Sequence, residues 1–98
     1  MPAKQPTIGV LTLDLHIEHS HSLKDKRQVV RSLKDRLRAK FNVAAAEIDH
    51  QDSWQRAVIG VVTLAGDRPR VEEVLQRVEI EAANLLGPIL VGAERDFF

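Results

Sequence analysis

Residues 22–41 read SLKDKRQVVRSLKDRLRAKF, and this stretch decides the fold because it carries an apolar stripe and most of the positive charge. At roughly 100° per residue, its large apolar side chains fall on one side of an α-helix, and that side must face a core. Ser22 is placed to cap the first turn, and Asp25 completes the pattern of a capping box. The stripe consists of Leu23, Val30, Leu33, Leu37 and Phe41, with Val29 at its margin.

Beside the stripe, the same helix carries a row of cations with no acidic residue among them. Successive members are three or four residues apart, so they line up along one face. The segment holds eight basic and two acidic residues in a chain whose net charge is zero, so the rest of the chain carries the matching negative excess. Such a row suits phosphate groups or an acidic protein partner. Its members are Lys24, Arg27, Arg31, Lys34 and Arg38.

Length and composition predict one globular domain spanning residues 1–98, because 98 residues with 44% hydrophobic and 29% charged side chains suit a single core. The chain has no cysteine, which excludes disulfides, thiolate nucleophiles and cysteine-ligated metal sites. No segment has the apolar length of a signal peptide core or a membrane-spanning helix. We therefore expect a cytoplasmic protein without a membrane partner.

The rest of the chain predicts four strands and a second helix. Residues 7–18 alternate between apolar and polar side chains, as in a half-buried strand. Residues 43–49 and 55–64 flank a polar loop, which indicates a hairpin, and residues 89–98 leave room for an interrupted edge strand. Asp67 is placed to cap the second helix, which Gly87 ends. Its predicted buried stripe is Val71, Val74, Leu75, Val78, Ala82, Leu85 and Leu86.

The predicted order βαββαβ indicates an α+β fold. Right-handed crossovers and two packed layers favour a ferredoxin-like sandwich, in which both helices cover one face of a four-stranded sheet and the first and third strands are central. The other face of the sheet would then lack a cover, which favours a homodimer formed through this face or through strand edges. Apolar side chains expected on this face are Val10, Val58, Val62 and Leu64.

A family resemblance rests on ordered motifs between Gly9 and roughly Val78. They are the SLK-x-KR opening of the helix, its RL-x-x-FNV exit, the Ala46-Glu47 pair and the QD-x-WQRA run at residues 51–57. With these motifs the chain resembles the YlxP-like family of bacterial domains of unknown function. The resemblance implies a small ferredoxin-like domain, often encoded near translation-initiation and ribosome-maturation factors, with no established catalytic activity. The alanine run at residues 44–46 and the four histidines depart from the family pattern.

Two interpretations of the cationic row stay open. In the first, it is a solvated helix face or pairs with Glu72 and Glu79 of the second helix. In the second, it contacts RNA phosphates without reading sequence. The chain lacks the paired aromatic residues of an RNA-recognition motif and the Gly-x-x-Gly loop of a KH domain. Trp54 and Arg56 are a possible accessory contact, although Trp54 is also suited to cover the end of the core.

Enzymatic and metal-binding functions have weak signals. The carboxylates near the predicted hairpin loop, Glu47, Asp49 and Asp52, are typical of turn chemistry rather than acid–base catalysis. The four histidines lack the spacing of helical metal ligands. No nucleophile elbow, phosphate-binding glycine loop or dinucleotide fingerprint is present. We therefore expect a non-enzymatic adaptor with no metal and no cofactor, acting on RNA or ribosomal particles, with a protein-interaction or small-ligand regulatory dimer as the alternative.

Overall fold

The computed structural model describes residues 4–98 of the chain, so the predicted domain of residues 1–98 includes three residues outside this part. Within it, neither helix is long and apolar enough to cross a membrane. The elements, in chain order, are β1 (Thr7–His16), α1 (Leu23–Lys40), β2 (Ala44–Asp49), β3 (Arg56–Ala65), α2 (Arg68–Leu86), a single 3-10 turn (Gly87–Ile89) and β4 (Leu90–Phe97).

The four strands form one antiparallel sheet in the order β2-β3-β1-β4. This order confirms the predicted ferredoxin-like sandwich, with the first and third strands at its centre. The last strand is continuous rather than interrupted, because the register shift is absorbed as a bulge opposite Asp14 and Leu15 of β1. Both helices pack on one face of the sheet, and α1 lies over the β2 side.

The core lies between the helices and the sheet. Alternate residues from Leu11 in β1 to Ile17, just after the strand, are buried, and the predicted stripes of both helices pack against them. Gly9 allows β1 and α2 to approach closely, since a Cβ atom there would clash with the side chain of Val71. The core is therefore closed at this end by direct contact between strand and helix.

The capping prediction for α1 is confirmed with one change. Ser22 Oγ accepts a hydrogen bond from the backbone N–H of Asp25 at 3.0 Å. Asp25 in turn accepts from the backbone N–H of His21, also at 3.0 Å, instead of from the capping residue itself. The helix thus begins where its sequence predicts, and the preceding loop is tied to its first turn.

A buried lysine joins α1 to the hairpin of β2 and β3. Lys26 is 1% exposed, and its ammonium group donates to Glu47 Oε2 at 2.9 Å and to the carbonyl oxygen of His50 at 2.7 Å. The carbonyl oxygens of Gln51 and Arg56 lie at 3.3 Å. A buried ammonium is costly unless a counter-charge and acceptors surround it, and here both are present. Lys26 therefore fixes the position of the β2–β3 loop against the first turn of α1.

The Lys26 contacts generate a stability prediction. We expect Lys26→Met to lower the free energy of unfolding by about 3 kcal/mol, because it leaves a half-buried carboxylate and several carbonyl groups without their donor. Urea denaturation followed by circular dichroism measures this change.

Lys24→Met is the matched control for that measurement. It removes an exposed lysine from the same turn of α1, so its expected effect is within about 0.5 kcal/mol. Adding Glu47→Gln to Lys26→Met should recover part of the lost stability, since the uncompensated charge is gone. A loss below about 1 kcal/mol for Lys26→Met would contradict the anchoring role of Lys26.

Candidate functional site

The cationic row predicted from the sequence lies on the outer flank of α1. On a helical wheel it is centred roughly 110° from the buried side chains. Arg38, a member of the row, donates from Nη2 to the carbonyl oxygen of Ala45 in the edge strand β2 at 2.7 Å. The opposite flank of α1 faces α2, where Arg36 and Lys40 contact Glu81. The row therefore lies above the β2 edge of the sheet, away from α2.

The cations that face α2 are neutralised within the helix layer. Lys40 Nζ lies 2.9 Å from Glu81 Oε1, and Arg36 Nη1 lies 3.1 Å from Glu81 Oε2. The hydrogen bond from Lys40, together with that from Arg36 and both positive charges, lowers the pKa of Glu81. Glu81 is thus held as a carboxylate between two cations, and both of them have a carboxylate partner.

Four of the eight cations in α1 have no such partner. The other four are Lys26, Arg36 and Lys40, paired with glutamates, and Arg38, which reaches Asp35 at 4.0 Å besides Ala45. For the remaining four, no carboxylate among residues 4–98 lies within salt-bridge distance, and their side chains are exposed or half-exposed. We call them the outer cations: Lys24, Arg27, Arg31 and Lys34.

The alternative in which the row pairs with Glu72 and Glu79 is wrong, whereas a solvated helix face stays an open interpretation. Glu72 Oε1 binds Arg68 Nε at 2.8 Å, and Glu79 Oε1 binds Arg95 Nη2 at 3.0 Å. Counting 100° per residue along α2, both glutamates lie on the flank that points toward β4, whereas Glu81 lies on the flank that points toward α1. The sequence alone did not show which flank of α2 would face α1.

Trp54 is the second predicted contact residue, and its side chain is 56% exposed. The interpretation in which Trp54 covers the end of the core is therefore wrong. Lys26 fills that place, since it is buried between α1 and the loop that carries Trp54. A signal for Lys26 is present in the sequence: it lies four residues before Val30 and seven before Leu33, in the middle of the apolar stripe.

Arg56, the other predicted accessory residue, is used within the fold. Its guanidinium Nη2 lies 3.5 Å from Asp14 Oδ1 on the face of the sheet opposite the helices, and its carbonyl oxygen accepts from Lys26. The histidines are dispersed, and residues 4–98 contain no group of three or more side chains that suits a metal ion. Glu47, considered as an acid–base carboxylate, is the ion-pair partner of Lys26.

The face of the sheet opposite the helices carries an apolar surface, as the alternation in β1 and β3 predicts. Val62 and Leu64 are 37% and 62% exposed there, and Ile48 of β2 lies over Gly60. A depression of about 290 Å³ lies between these strands. It is lined by Val10, Ala44, Ala45, Ala46, Ile48, Gly60, Val61 and Val62. We call this the open sheet face.

Solved structures show the same fold at low sequence identity. The de novo designed protein Foldit4 superposes with a TM-score of 0.59 and 12% identity over 96% of this chain and 97% of that chain. The cofactor-independent oxygenase SnoaB from Streptomyces nogalater superposes with a TM-score of 0.51 and 13% identity over 98% and 92% of the two chains. At these identities the likeness extends to the fold alone.

Sequence comparison identifies the family. A model of the family described as "Protein of unknown function (DUF503)" matches residues 8–86. The uncharacterized protein YlxP of Bacillus subtilis (strain 168) is 39% identical over 71 residues, which cover 72% of this chain and 77% of that protein. The matched region contains α1, with its buried lysine and its outer cations, and the whole β2–β3 hairpin. The chain therefore belongs to the YlxP-like family of proteins of unknown function, DUF503.

Proposed function

We propose that this domain is a non-enzymatic adaptor of the cytoplasm that binds RNA through the outer cations of α1. One observation carries the proposal. Glutamates pair with the inward and α2-facing cations of α1, but no carboxylate in residues 4–98 pairs with the outer cations. The family resemblance implies a gene neighbourhood of translation and ribosome-maturation factors, which favours RNA of the translation machinery as the ligand.

The shape of the cationic row favours phosphate over an acidic protein. From Lys24 to Lys34 the outer cations rise by ten residue steps, or about 15 Å, in a line along one flank of α1. Phosphates along an RNA strand match such a line, and their binding needs only positive charge and exposed donors. Protein interfaces depend on apolar or aromatic anchors at their centre, and no large apolar side chain lies among the outer cations. An extended polyanion is therefore the better fit.

Charge reversal tests the RNA proposal. We expect Arg27→Glu combined with Arg31→Glu to weaken binding to RNA or ribosomal particles by roughly tenfold or more without unfolding the domain, because both side chains lie in the exposed row. The dependence of log affinity on log salt concentration should become shallower by about 0.7 to 0.9 for each lost phosphate contact. A filter-binding or anisotropy titration over a salt series measures both.

Arg70→Glu combined with Arg77→Glu is the control, since it makes the same change of net charge on exposed positions of α2. The proposal requires this control to bind nearly as well as the unmodified protein. Equal weakening by both double variants would show an effect of net charge alone. Unchanged RNA binding after charge reversal at Arg27 and Arg31 would show that the outer cations do not contact RNA.

A second candidate function is a protein-interaction or regulatory domain that acts as a homodimer through the open sheet face. The observation that favours it is the exposed apolar surface of Val62, Leu64 and Ile48 on a face that no helix covers. A two-fold contact through this surface avoids bringing two cationic rows together and leaves both rows accessible. This arrangement is compatible with RNA binding by each subunit.

The dimer proposal predicts an effect of charge on the open sheet face. We expect the unmodified protein to sediment as a dimer that persists in high salt, since an apolar contact is not screened. Val62→Glu combined with Leu64→Glu should weaken this dimer by roughly a hundredfold, because like charges would meet across the two-fold axis. Ile80→Glu, at an isoleucine of α2 that is 53% exposed, is the control and should leave the dimer intact. A monomer at every concentration would contradict the proposal.

A further inference from the structure

The β2–β3 loop holds Trp54 in a fixed backbone position while leaving its indole at the surface. On one side of Trp54, Ser53 Oγ accepts hydrogen bonds from the N–H groups of Gln55 and Arg56 at 3.3 and 3.0 Å. On the other side, Gln55 accepts from the N–H of Ile17 at 2.7 Å through its carbonyl oxygen. Trp54 is thus more than half exposed, although hydrogen bonds hold both of the residues next to it in the chain.

Trp54 lies at the same end of the molecule as the first turn of α1. Lys26 of that turn donates to the carbonyl oxygens of Gln51 and Arg56, which bracket Trp54 in sequence. Two residues span at most about 7 Å, so the Trp54 backbone lies within that distance of a residue in direct contact with Lys26. Lys24 and Arg27, at one end of the outer cations, lie within a turn of Lys26 along the helix axis, but on the outer flank rather than on the side where Lys26 meets the loop.

The other aromatic residues are placed elsewhere. Phe97 pairs with Gly9 at the beginning of β1 and stacks under Arg68, whose guanidinium carbon lies 4.2 Å from the ring centre. At the same end, the backbone N–H and carbonyl groups of Phe98 are hydrogen-bonded to those of Ile8. Since Gly9 lies seven residues before His16 in β1, and His16 pairs with Arg56, these residues lie about 23 Å along the strand from the end of the sheet that carries Trp54. Phe41 follows the last turn of α1 and packs against the core, so among the tryptophan and phenylalanine residues of positions 4–98, Trp54 is the exposed one near the first turn of α1.

We propose that Trp54 stacks on an unpaired base and that the ligand of this domain is single-stranded RNA, whose phosphates follow the outer cations from the Lys24 end. This inference rests on the proposed RNA-binding function and adds the class of RNA. An exposed indole presents a π-face to which any base can stack, and a pinned loop loses little further entropy when the base binds. Bases in an RNA duplex are already stacked on each other and offer no such face.

Intrinsic fluorescence gives a direct readout, because Trp54 is the one tryptophan of the chain. The probes are a 12-nucleotide oligouridylate, a 12-nucleotide oligoadenylate and a 12-base-pair RNA duplex, each titrated at low salt. We expect both single strands to quench Trp54 and the duplex to leave its emission unchanged. With end-labelled RNA, Trp54→Ala should weaken single-strand binding by about tenfold or more and leave duplex binding unchanged, and Trp54→Phe should retain most of the affinity.

The outcomes separate this inference from the proposed function. If the single strands bind and Arg27→Glu with Arg31→Glu weakens them, but Trp54 emission and Trp54→Ala binding are unchanged, the stacking role is overturned and the RNA function stands. Quenching of Trp54 by the duplex to the same extent would overturn the preference for single strands. If no RNA binds the unmodified protein at low salt, the proposed function fails and the inference fails with it. Circular dichroism and urea denaturation of Trp54→Ala confirm that the variant is folded.

Discussion

The buried ammonium of Lys26 is the interaction on which the arrangement of this molecule depends. It brings the first turn of α1, the last residues of β2 and the first residue of β3 to a single point through one carboxylate and three carbonyl groups. A buried charge is costly when its acceptors are lost. The Lys26 contacts therefore constrain the conformation of the β2–β3 loop and also join that loop to α1. His50, with φ of 62°, adopts the left-handed conformation within this constrained turn.

Contacts within residues 4–98 also decide which cations of α1 stay free at the surface. Lys26, Arg36, Arg38 and Lys40 all serve contacts inside the molecule, to β2, to α2 or within α1. What remains on α1 is a line of cations on the outer flank, on a chain whose net charge is zero. A local field of one sign on a neutral molecule favours a polyanion at one place rather than attraction over the whole surface.

The two layers separate two kinds of surface. The helix layer presents charge above the β2 edge, and the sheet presents aliphatic side chains on its other side. Because these surfaces lie on different sides of the molecule, occupation of one need not block the other. A dimer formed through the open sheet face would hold two cationic rows at a fixed separation, and a long RNA that reached both would bind with higher effective affinity.

The sequence alone determined the order of elements, the cap of α1 at Ser22 and the row of cations, because periodicity and capping depend on residues close along the chain. The order of elements in turn predicted that β1 and β3 are the central strands. Only the tertiary structure decided which cations stay unpaired, since Glu81 rather than Glu72 or Glu79 faces α1 once the helices pack. It also decided which groups Lys26 contacts and that Trp54 is exposed, because both depend on a loop 24 to 30 residues away along the chain that folds back onto the first turn of α1. Pairing across such separations has no local signal, so the sequence predicts the elements of the site but not their partners.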